Sequence, residues 1–198
     1  MIFLFDVDGL INKSDYFTFQ YVKDFDVDKS IFKDFFQNNF AQCLKGHRDV
    51  REVIKPYFGQ WKWEKSPDDF LEYWFEKDVK LDSQLLDYVQ QLRKDEYYCA
   101  LASQQEGHRK NHLWESRQLR LTFDDFYCSC DIGLLKSDPA FFETIIQQLK
   151  DRDLIEKPSQ VVFWDDMEKF TRVAKTMGIT AKLFRKNEDI INFLDQLK

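Results

Sequence analysis

The sequence lacks several features that would assign it to common classes of protein. No apolar run among its 198 residues approaches the ~18 residues that a membrane-spanning helix needs, and the N-terminal run IFLF is too short for a signal peptide. It contains no internal repeat, low-complexity tract or Gly/Ser-rich linker. We therefore expect a cytoplasmic protein with no membrane partner.

Basic residues and cysteines are also scarce. The 29 Lys and Arg are outnumbered by 35 Asp and Glu, and no Lys/Arg-rich run compensates locally for the net charge of -6. Nucleic acid is therefore not an expected partner. The four cysteines have neither the density nor the spacing of a disulfide scaffold or a zinc site, so we expect reduced thiols. They are Cys43, Cys99, Cys128 and Cys130.

Bulky apolar residues, by contrast, are abundant. Hydrophobic residues make up 43% of the chain, and 20 Phe, 8 Tyr and 5 Trp supply material for a core. A chain of this length can bury one good core and a smaller appendage, but hardly two large domains. We expect one core with an insertion.

Short apolar runs rich in β-branched and aromatic residues recur along the chain, with helical patterns between them. This alternation predicts an α/β fold whose parallel sheet is covered by helices on both faces. The strand candidates are residues 2–5, 97–102, 126–132, 161–164 and 181–185.

The alternation is interrupted once, between the first two strand candidates. Residues 14–80 contain no convincing strand, and their patterns are typical of amphipathic helices. We therefore predict that residues 1–13 and 81–198 form the α/β core. Residues 14–80 would form a helical cap inserted into that core.

Polar side chains follow the predicted strands at the points where they end. Asp6 and Asp8 follow the first strand in FLFDVDGL, Ser103 follows the second in YYCALAS, and Asp165 and Asp166 follow the fourth in VVFWDD. Ligands of open parallel sheets bind beyond the carboxyl ends of the strands. We expect these side chains to gather at that edge, beneath the cap.

An aspartate at a strand end can attack phosphorus and form an acyl phosphate if other groups manage charge and protons. It needs a divalent cation, a second carboxylate to protonate the leaving oxygen, donors for the phosphoryl oxygens, and a positive charge nearby. The chain offers candidates for these tasks in Asp8, Ser103, Lys136 and the acidic pair.

This ordered set resembles the four motifs of the haloacid dehalogenase superfamily. Those motifs are DxDG after the first strand, Ser or Thr after the second, Lys before a helix that starts with DP, and DD after the fourth strand. They occur here as DVDG, ALAS, LLKSDP and FWDD, and the helical insertion lies where the family places its alpha-helical cap. The resemblance spans residues 1–198 and implies a Rossmann-like core with such a cap.

The resemblance also implies a role for each matching residue. Asp6 would be the nucleophile and a metal ligand, and Asp8 would be the general acid/base and contribute its backbone carbonyl to the metal. Ser103 would bind the phosphoryl group together with the backbone amide of Gln104. Lys136 would bind both the phosphate and Asp6.

The acidic pair implies a Mg²⁺ site, because Mg²⁺ suits an all-oxygen site that retains several waters. Asp166 would be the direct ligand and Asp165 would support it from the outer shell. The chain departs from the family pattern at Phe170, where Asn or Asp is frequent, and at Trp164, where Gly is frequent. The missing outer ligand is expected to weaken metal binding by roughly tenfold or more unless another group replaces it.

The cap offers a candidate for substrate recognition. The resemblance suggests that a turn near KGHR dips toward the active site, where Lys45, His47 and Arg48 could contact an acidic or phosphorylated substrate. A basic junction that faces solvent is an equally good interpretation of these three residues.

These inferences combine into a Mg²⁺-dependent phosphatase that hydrolyses a small phosphorylated metabolite, as a monomer or homodimer. Asp8 disfavours a 2-haloacid dehalogenase, because halide leaves without a proton whereas an alkoxide needs one. Two alternatives stay open: a phosphomutase with the same residues, and a catalytically weak binding or regulatory protein on the same fold.

Overall fold

Five parallel strands form the central sheet of the computed structural model, which describes residues 1–195. Their order is β3-β2-β1-β4-β5, so the first strand lies in the middle of the sheet. This arrangement confirms the predicted α/β fold, and the last three residues of the predicted core segment 81–198 lie outside the described residues. The strands are β1 (Ile2–Phe5), β2 (Tyr98–Ser103), β3 (Asp125–Cys128), β4 (Val161–Asp165) and β5 (Thr180–Leu183).

The middle strand is buried on both faces. Alternate residues of a strand point to opposite faces, and in β1 Phe3 and Phe5 enter one apolar cluster while Ile2 and Leu4 enter another. Phe5 pairs with Leu101 of β2 on one side and with Trp164 of β4 on the other. The neighbouring strands therefore end at the same edge of the sheet.

Helices cover both faces of the sheet, which explains why its strands are almost continuously apolar. Helices α6 (Ser83–Lys94) and α11 (Asn187–Asp195) pack on the face of Phe3 and Phe5. Helices α9 (Pro139–Asp151) and α10 (Glu168–Thr176) pack on the opposite face. No helix within residues 1–195 combines the length and apolarity that a membrane crossing requires.

A separate aromatic core lies among the helices between β1 and β2. Its buried side chains include Phe17, Tyr21, Trp61 and Phe70, and they form a cluster distinct from the two that flank the sheet. Short 3-10 and π turns connect these helices. The helices are α1 (Phe17–Phe25), α2 (Phe40–Leu44), α3 (Val50–Ile54), α4 (Phe58–Trp61) and α5 (Pro67–Lys77).

The two chain segments that join this helical region to the sheet lie side by side. Lys13 N–H donates to the carbonyl of Lys80 at 2.8 Å, and Asp82 N–H donates to that of Ile11 at 2.9 Å. The buried Asn12 side chain donates to the carbonyl of Asp78 at 2.7 Å. The chain therefore leaves the sheet and returns to it through two adjacent segments that are hydrogen-bonded to each other.

The third strand is shorter than the sequence predicts. The apolar pattern predicts a strand over 126–132, but β3 ends at Cys128 and a short helix, α8 (Ser129–Ile132), follows it. The Ser129 hydroxyl donates to the carbonyl of Leu44 in the helical region at 2.7 Å. This contact joins residues that are far apart in the sequence, so the periodicity of the sequence could not predict it. It occurs at the point where the chain turns away from the sheet. Another short helix, α7 (Gly107–Asn111), follows β2.

Candidate active site

Three predicted site residues form a buried ionic cluster at the carboxyl edge of the sheet. Asp6 directly follows β1 and Asp165 ends β4, while Lys136 comes from the loop before α9. The Nζ of Lys136 lies 2.7 Å from Asp6 Oδ2 and 2.6 Å from Asp165 Oδ2. All three side chains are buried. Because a buried charge is stable only when paired, these groups hold one another in place.

The electrostatics of this cluster follow from burial and charge. Burial raises the pKa of the Asp6 carboxyl to about 6, the Lys136 ammonium acts in the opposite direction, and Asp165 raises it further. Burial opposes the charge on Lys136, yet the two carboxylates beside it raise its pKa. Asp6 Oδ1 is buried, and no group within residues 1–195 donates a hydrogen bond to it. This oxygen is therefore the one available to attack a substrate or bind a metal.

The same edge carries a set of oxygens that suits a metal ion. Carboxylate oxygens of Asp6, Asp165 and Asp166 lie within 4.8 Å of one another. Asp165 is already engaged, because Oδ2 binds Lys136 and Oδ1 accepts from Met167 N–H at 2.7 Å. Asp6 and Asp166 are left as the carboxylates best placed to bind Mg²⁺, which prefers oxygen ligands.

Gly9 permits Asp166 to approach the first motif. Its φ of +77° is in the region that favours glycine, and a Cβ at this position would overlap the Asp166 carboxylate. Burial raises the pKa of Asp166, and the nearby Asp6 raises it further. A bound cation would relieve this accumulation of negative charge.

The Asp8 carboxylate is held by several donors. Arg109 from α7 binds it in a bidentate manner, with Nη1 to Oδ2 and Nη2 to Oδ1 both at 2.8 Å. Gln105 donates to Oδ2 at 2.8 Å and Asn12 to Oδ1 at 3.0 Å. Desolvation raises the pKa of Asp8, but Arg109 and these hydrogen bonds lower it more, so it lies below its usual range. Asp8 is therefore ionised at neutral pH in this conformation.

Arg109 connects Asp8 to the end of the helical region. This guanidinium is 4% exposed and also pairs with Asp78, its Nη2 lying 3.2 Å from Asp78 Oδ2. Asp78 directly follows α5, and Trp74 Nε1 donates to its carboxylate at 3.1 Å. The buried guanidinium of Arg109 thus joins Asp8, the candidate acid/base, to the segment where the chain returns to the sheet.

Sequence reasoning missed this network. Arg109 is six positions beyond the motif Ser103 and belongs to none of the matched motifs. A lone arginine in a predicted helix is normally solvated, and its burial depends on partners 31 and 101 positions away. The only available signal was a basic residue close after the second motif.

Asp78→Asn is expected to gain stability relative to the wild type as the pH rises from about 5 to about 8. Burial raises the pKa of Asp78 to about 6 although Arg109 opposes the shift. Since this folded-state pKa exceeds the unfolded one, the stability contributed by the protonated carboxyl is present at low pH and lost as pH rises through about 6. Asn mimics that neutral form at every pH.

The difference in unfolding free energy between the two proteins should change by about 1–1.5 kcal/mol across this range, because pH 5 is only one unit below the folded-state pKa of about 6. Urea unfolding without Mg²⁺ at constant ionic strength measures it. A difference that does not vary with pH would show that Asp78 titrates normally.

The residues after Ser103 connect the motifs to one another. The side-chain carbonyl of Gln104 accepts from the backbone N–H of Lys136 at 2.7 Å. Gln105 donates to Ser103 Oγ at 3.0 Å as well as to Asp8. Gln104 therefore orients the Lys136 loop. That Ser103 and Gln104 bind phosphate stays a prediction.

Phe170 packs against the buried lysine. The Nζ of Lys136 lies 4.6 Å from the centroid of the Phe170 ring, within the range of a cation–π interaction. Phe170 is 5% exposed and belongs to the apolar cluster on the α10 face. At this position the chain thus has an apolar cover for Lys136 instead of an oxygen ligand. The expected weakening of metal binding stays a prediction.

The basic turn lies at the end of α2. Gly46, with a φ of +69°, packs so closely against the Cys130 carbonyl that a Cβ would overlap it. Within residues 1–195, the side chains of Lys45, His47 and Arg48 are not part of the lining of the cavity beside Asp8. Their role in recognising substrate stays a prediction.

That cavity has a volume of about 470 Å³ and lies between Asp8 and the helical region. Its polar end is formed by Asp8, Gln104, Gln105 and Arg109. Its walls come from the helices and their connecting turns, and we call it the cap cavity. The apolar wall residues are Phe17, Phe32, Phe36, Phe40, Leu44 and Trp74.

The parallel sheet, the buried Asp-Lys-Asp cluster at its carboxyl edge and the helical insertion after β1 together define a class of hydrolases. The chain matches the haloacid dehalogenase-like hydrolase family over residues 3–183, and it belongs to that family.

Solved structures share this fold. A HAD family enzyme from Bacteroides thetaiotaomicron is 20% identical, with a TM-score of 0.80 over 98% of this chain and 97% of that one. The same enzyme has been solved in complex with magnesium and inorganic phosphate, with a TM-score of 0.76 over 93% of this chain and 94% of that one, again at 20% identity. An L-2-haloacid dehalogenase is 15% identical, with a TM-score of 0.64 over 92% of this chain and 83% of that one.

Curated relatives match a shorter part of the chain. Bifunctional epoxide hydrolase 2 of Rattus norvegicus is 29% identical over 80 residues, which are 40% of this chain and 14% of the relative. The matched region thus spans only about a seventh of that protein's length.

Proposed function

We propose that this chain is a Mg²⁺-dependent phosphatase that hydrolyses small phosphorylated metabolites through an aspartyl-phosphate on Asp6. The observation that carries the proposal is the asymmetric environment of the Asp6 carboxylate. Oδ2 is held by Lys136 at 2.7 Å, while the buried Oδ1 has no hydrogen-bond partner in the part of the chain that the structure describes. An oriented carboxylate with one free oxygen is what nucleophilic attack on phosphorus requires.

Asp6, the backbone carbonyl of Asp8, and Asp166 would hold the Mg²⁺. When bound, this ion would screen the negative charge of the nucleophile from that of the phosphate. The magnesium and phosphate complex of the structurally similar enzyme supports this choice of cofactor and ligand.

The reaction would proceed in two successive displacements at phosphorus. Asp6 Oδ1 attacks phosphorus, the bond to the leaving oxygen breaks, and that oxygen takes a proton from Asp8. Water then attacks the acyl phosphate and loses a proton to Asp8, which releases phosphate and restores Asp6. Lys136 and Ser103 would stabilise the phosphoryl oxygens during both steps.

Proton donation by Asp8 requires a change from the conformation described above, because Arg109 holds its pKa low. A general acid must carry a proton before it can donate one. Arg109 comes from α7, which follows β2, and it also binds Asp78 at the end of α5, so this guanidinium links Asp8 to the helical region.

A panel of phosphorylated metabolites, together with p-nitrophenyl phosphate, tests this function. Release of inorganic phosphate should require Mg²⁺ and should be lost when EDTA removes it. Absence of Mg²⁺-dependent release from every ester, in protein shown to be folded, would contradict the proposal. Product analysis would distinguish a mutase, which returns phosphate to the product, and 2-haloacids in the same panel should release no halide.

A further inference from the structure

The cap cavity is apolar along most of its walls. Aromatic rings of Phe17, Phe32, Phe36, Phe40 and Trp74 surround it. Its volume of about 470 Å³ is within the range of small-molecule sites, roughly 300–1,000 Å³. The cavity is therefore large enough for an organic group and offers mainly apolar contact.

The polar end of the cavity adjoins the predicted phosphate site. Gln105 lines the cavity and donates to both Ser103 Oγ and Asp8. Gln104 lines it too and accepts from the backbone of Lys136. Through these two glutamines the cavity adjoins Ser103 and the Lys136 loop, and a leaving group that extends past Asp8 from a phosphoryl group bound there would enter it.

The charges around the cavity further limit what it can bind. The carboxylates of Asp8 and Asp78 are both paired with Arg109. Within residues 1–195 the other charged lining residues are the exposed Lys29 and Lys33, so a cationic leaving group is disfavoured.

Polar partners for a sugar are few in this lining. Beyond the paired groups at the polar end and the two lysines, Tyr16, Thr18 and Gln37 supply its polar side chains. Trp74 Nε1 is already used by Asp78. The hydroxyls of a buried sugar would lose hydrogen bonds to water that these walls do not replace, which is unfavourable.

We infer that the substrate is the phosphomonoester of a hydrophobic alcohol, whose apolar body occupies the cap cavity while its phosphate meets Asp6. This inference rests on the proposed phosphatase function and narrows its substrate class. Lining residues and charges favour an alkyl or aryl group over a sugar or an amine.

A series of n-alkyl phosphates from methyl to octyl tests the inference. The value of kcat/KM should rise about three- to fourfold for each added methylene until the cavity is filled, because each buried methylene contributes a nearly constant transfer free energy. Octyl phosphate should also exceed a hexose phosphate. Values that do not change with chain length, or a preference for the hexose phosphate, would overturn the inference.

Binding of n-alkyl phosphonates in the presence of Mg²⁺, measured by calorimetry, distinguishes the two proposals. These compounds have no hydrolysable ester bond. Affinity that rises with chain length without turnover of any ester would contradict the phosphatase and retain the apolar ligand site. Turnover of esters with no length dependence of turnover or affinity would retain the phosphatase and overturn the apolar substrate.

Two substitutions of Phe40 provide a matched comparison. Leu and Gln have similar volumes and differ mainly in polarity, and Phe40 is a half-buried wall residue. Phe40→Gln should reduce the gain per methylene, whereas Phe40→Leu should retain most of it. Equal gains per methylene in both variants, with both folded by circular dichroism, would overturn the role of an apolar wall.

Discussion

Asp6→Asn is expected to lower the kcat for Mg²⁺-dependent phosphate release by about four orders of magnitude, because an amide oxygen is a far weaker nucleophile than a carboxylate. The substitution retains the shape of the side chain beside Lys136. Since burial raises the pKa of Asp6 to about 6, a neutral amide at this position should not prevent folding. Steady-state kinetics on the best ester of the panel measures the loss.

Asp87→Asn is the matched control, because it makes the same chemical change at an exposed position on α6. Its kcat should stay within about twofold of the wild type, since surface substitutions away from special features have small effects. Beryllium fluoride, which mimics a phosphoryl group on aspartate, should inhibit the wild type and lose its effect in Asp6→Asn. Unchanged activity in Asp6→Asn would exclude Asp6 as the nucleophile.

Lys136→Met is expected to lower the unfolding free energy by about 3–5 kcal/mol, the range found when one partner of a buried ion pair is removed. Lys136 is 1% exposed and contacts the carboxylates of both Asp6 and Asp165. Methionine fills similar space but leaves these two carboxylates facing each other without a cation. Chemical denaturation without Mg²⁺ measures the change.

Lys150→Met, at an exposed position of α9, provides the control and should cost less than about 1 kcal/mol. The double variant Lys136→Met/Asp165→Asn should recover part of the loss, because it removes one of the two uncompensated charges. A loss in Lys136→Met no larger than in Lys150→Met would show that the buried cluster does not stabilise the fold.

The fold was largely predictable because its determinants are local. Apolar runs such as IFLF and VVFW are buried on both faces in β1 and β4, as their composition predicts. Parallel strands bring their carboxyl ends to one edge, so the sequence also predicted that Asp6 and Asp165 would lie there, and the family resemblance implied that Lys136 would bind Asp6. The contact between Lys136 and Asp165 was not predicted. The largest error was at the end of the third strand, where residues 129–132 form α8; the fifth strand also ends two residues earlier than predicted, at Leu183.

The surroundings of the site were not predictable in the same way. Asp8 was expected to act as a general acid/base, but its pairing with Arg109 joins residues 101 positions apart. From the sequence, Phe170 was notable only because the family frequently has an Asn or Asp ligand at this position. In the structure its ring lies against the Lys136 ammonium. Neither contact has a periodicity or a motif that a sequence pattern could reveal.

The sequence by itself determined the strand order along the chain, the acids at the strand ends and the family to which they point. Only the tertiary structure decided that Arg109 is buried between Asp8 and Asp78, and that aromatic side chains enclose a cavity beside them. Strands and motifs depend on near neighbours, whose patterns the sequence displays directly. A buried ion pair or a cavity wall depends on which distant side chains the packed fold brings together.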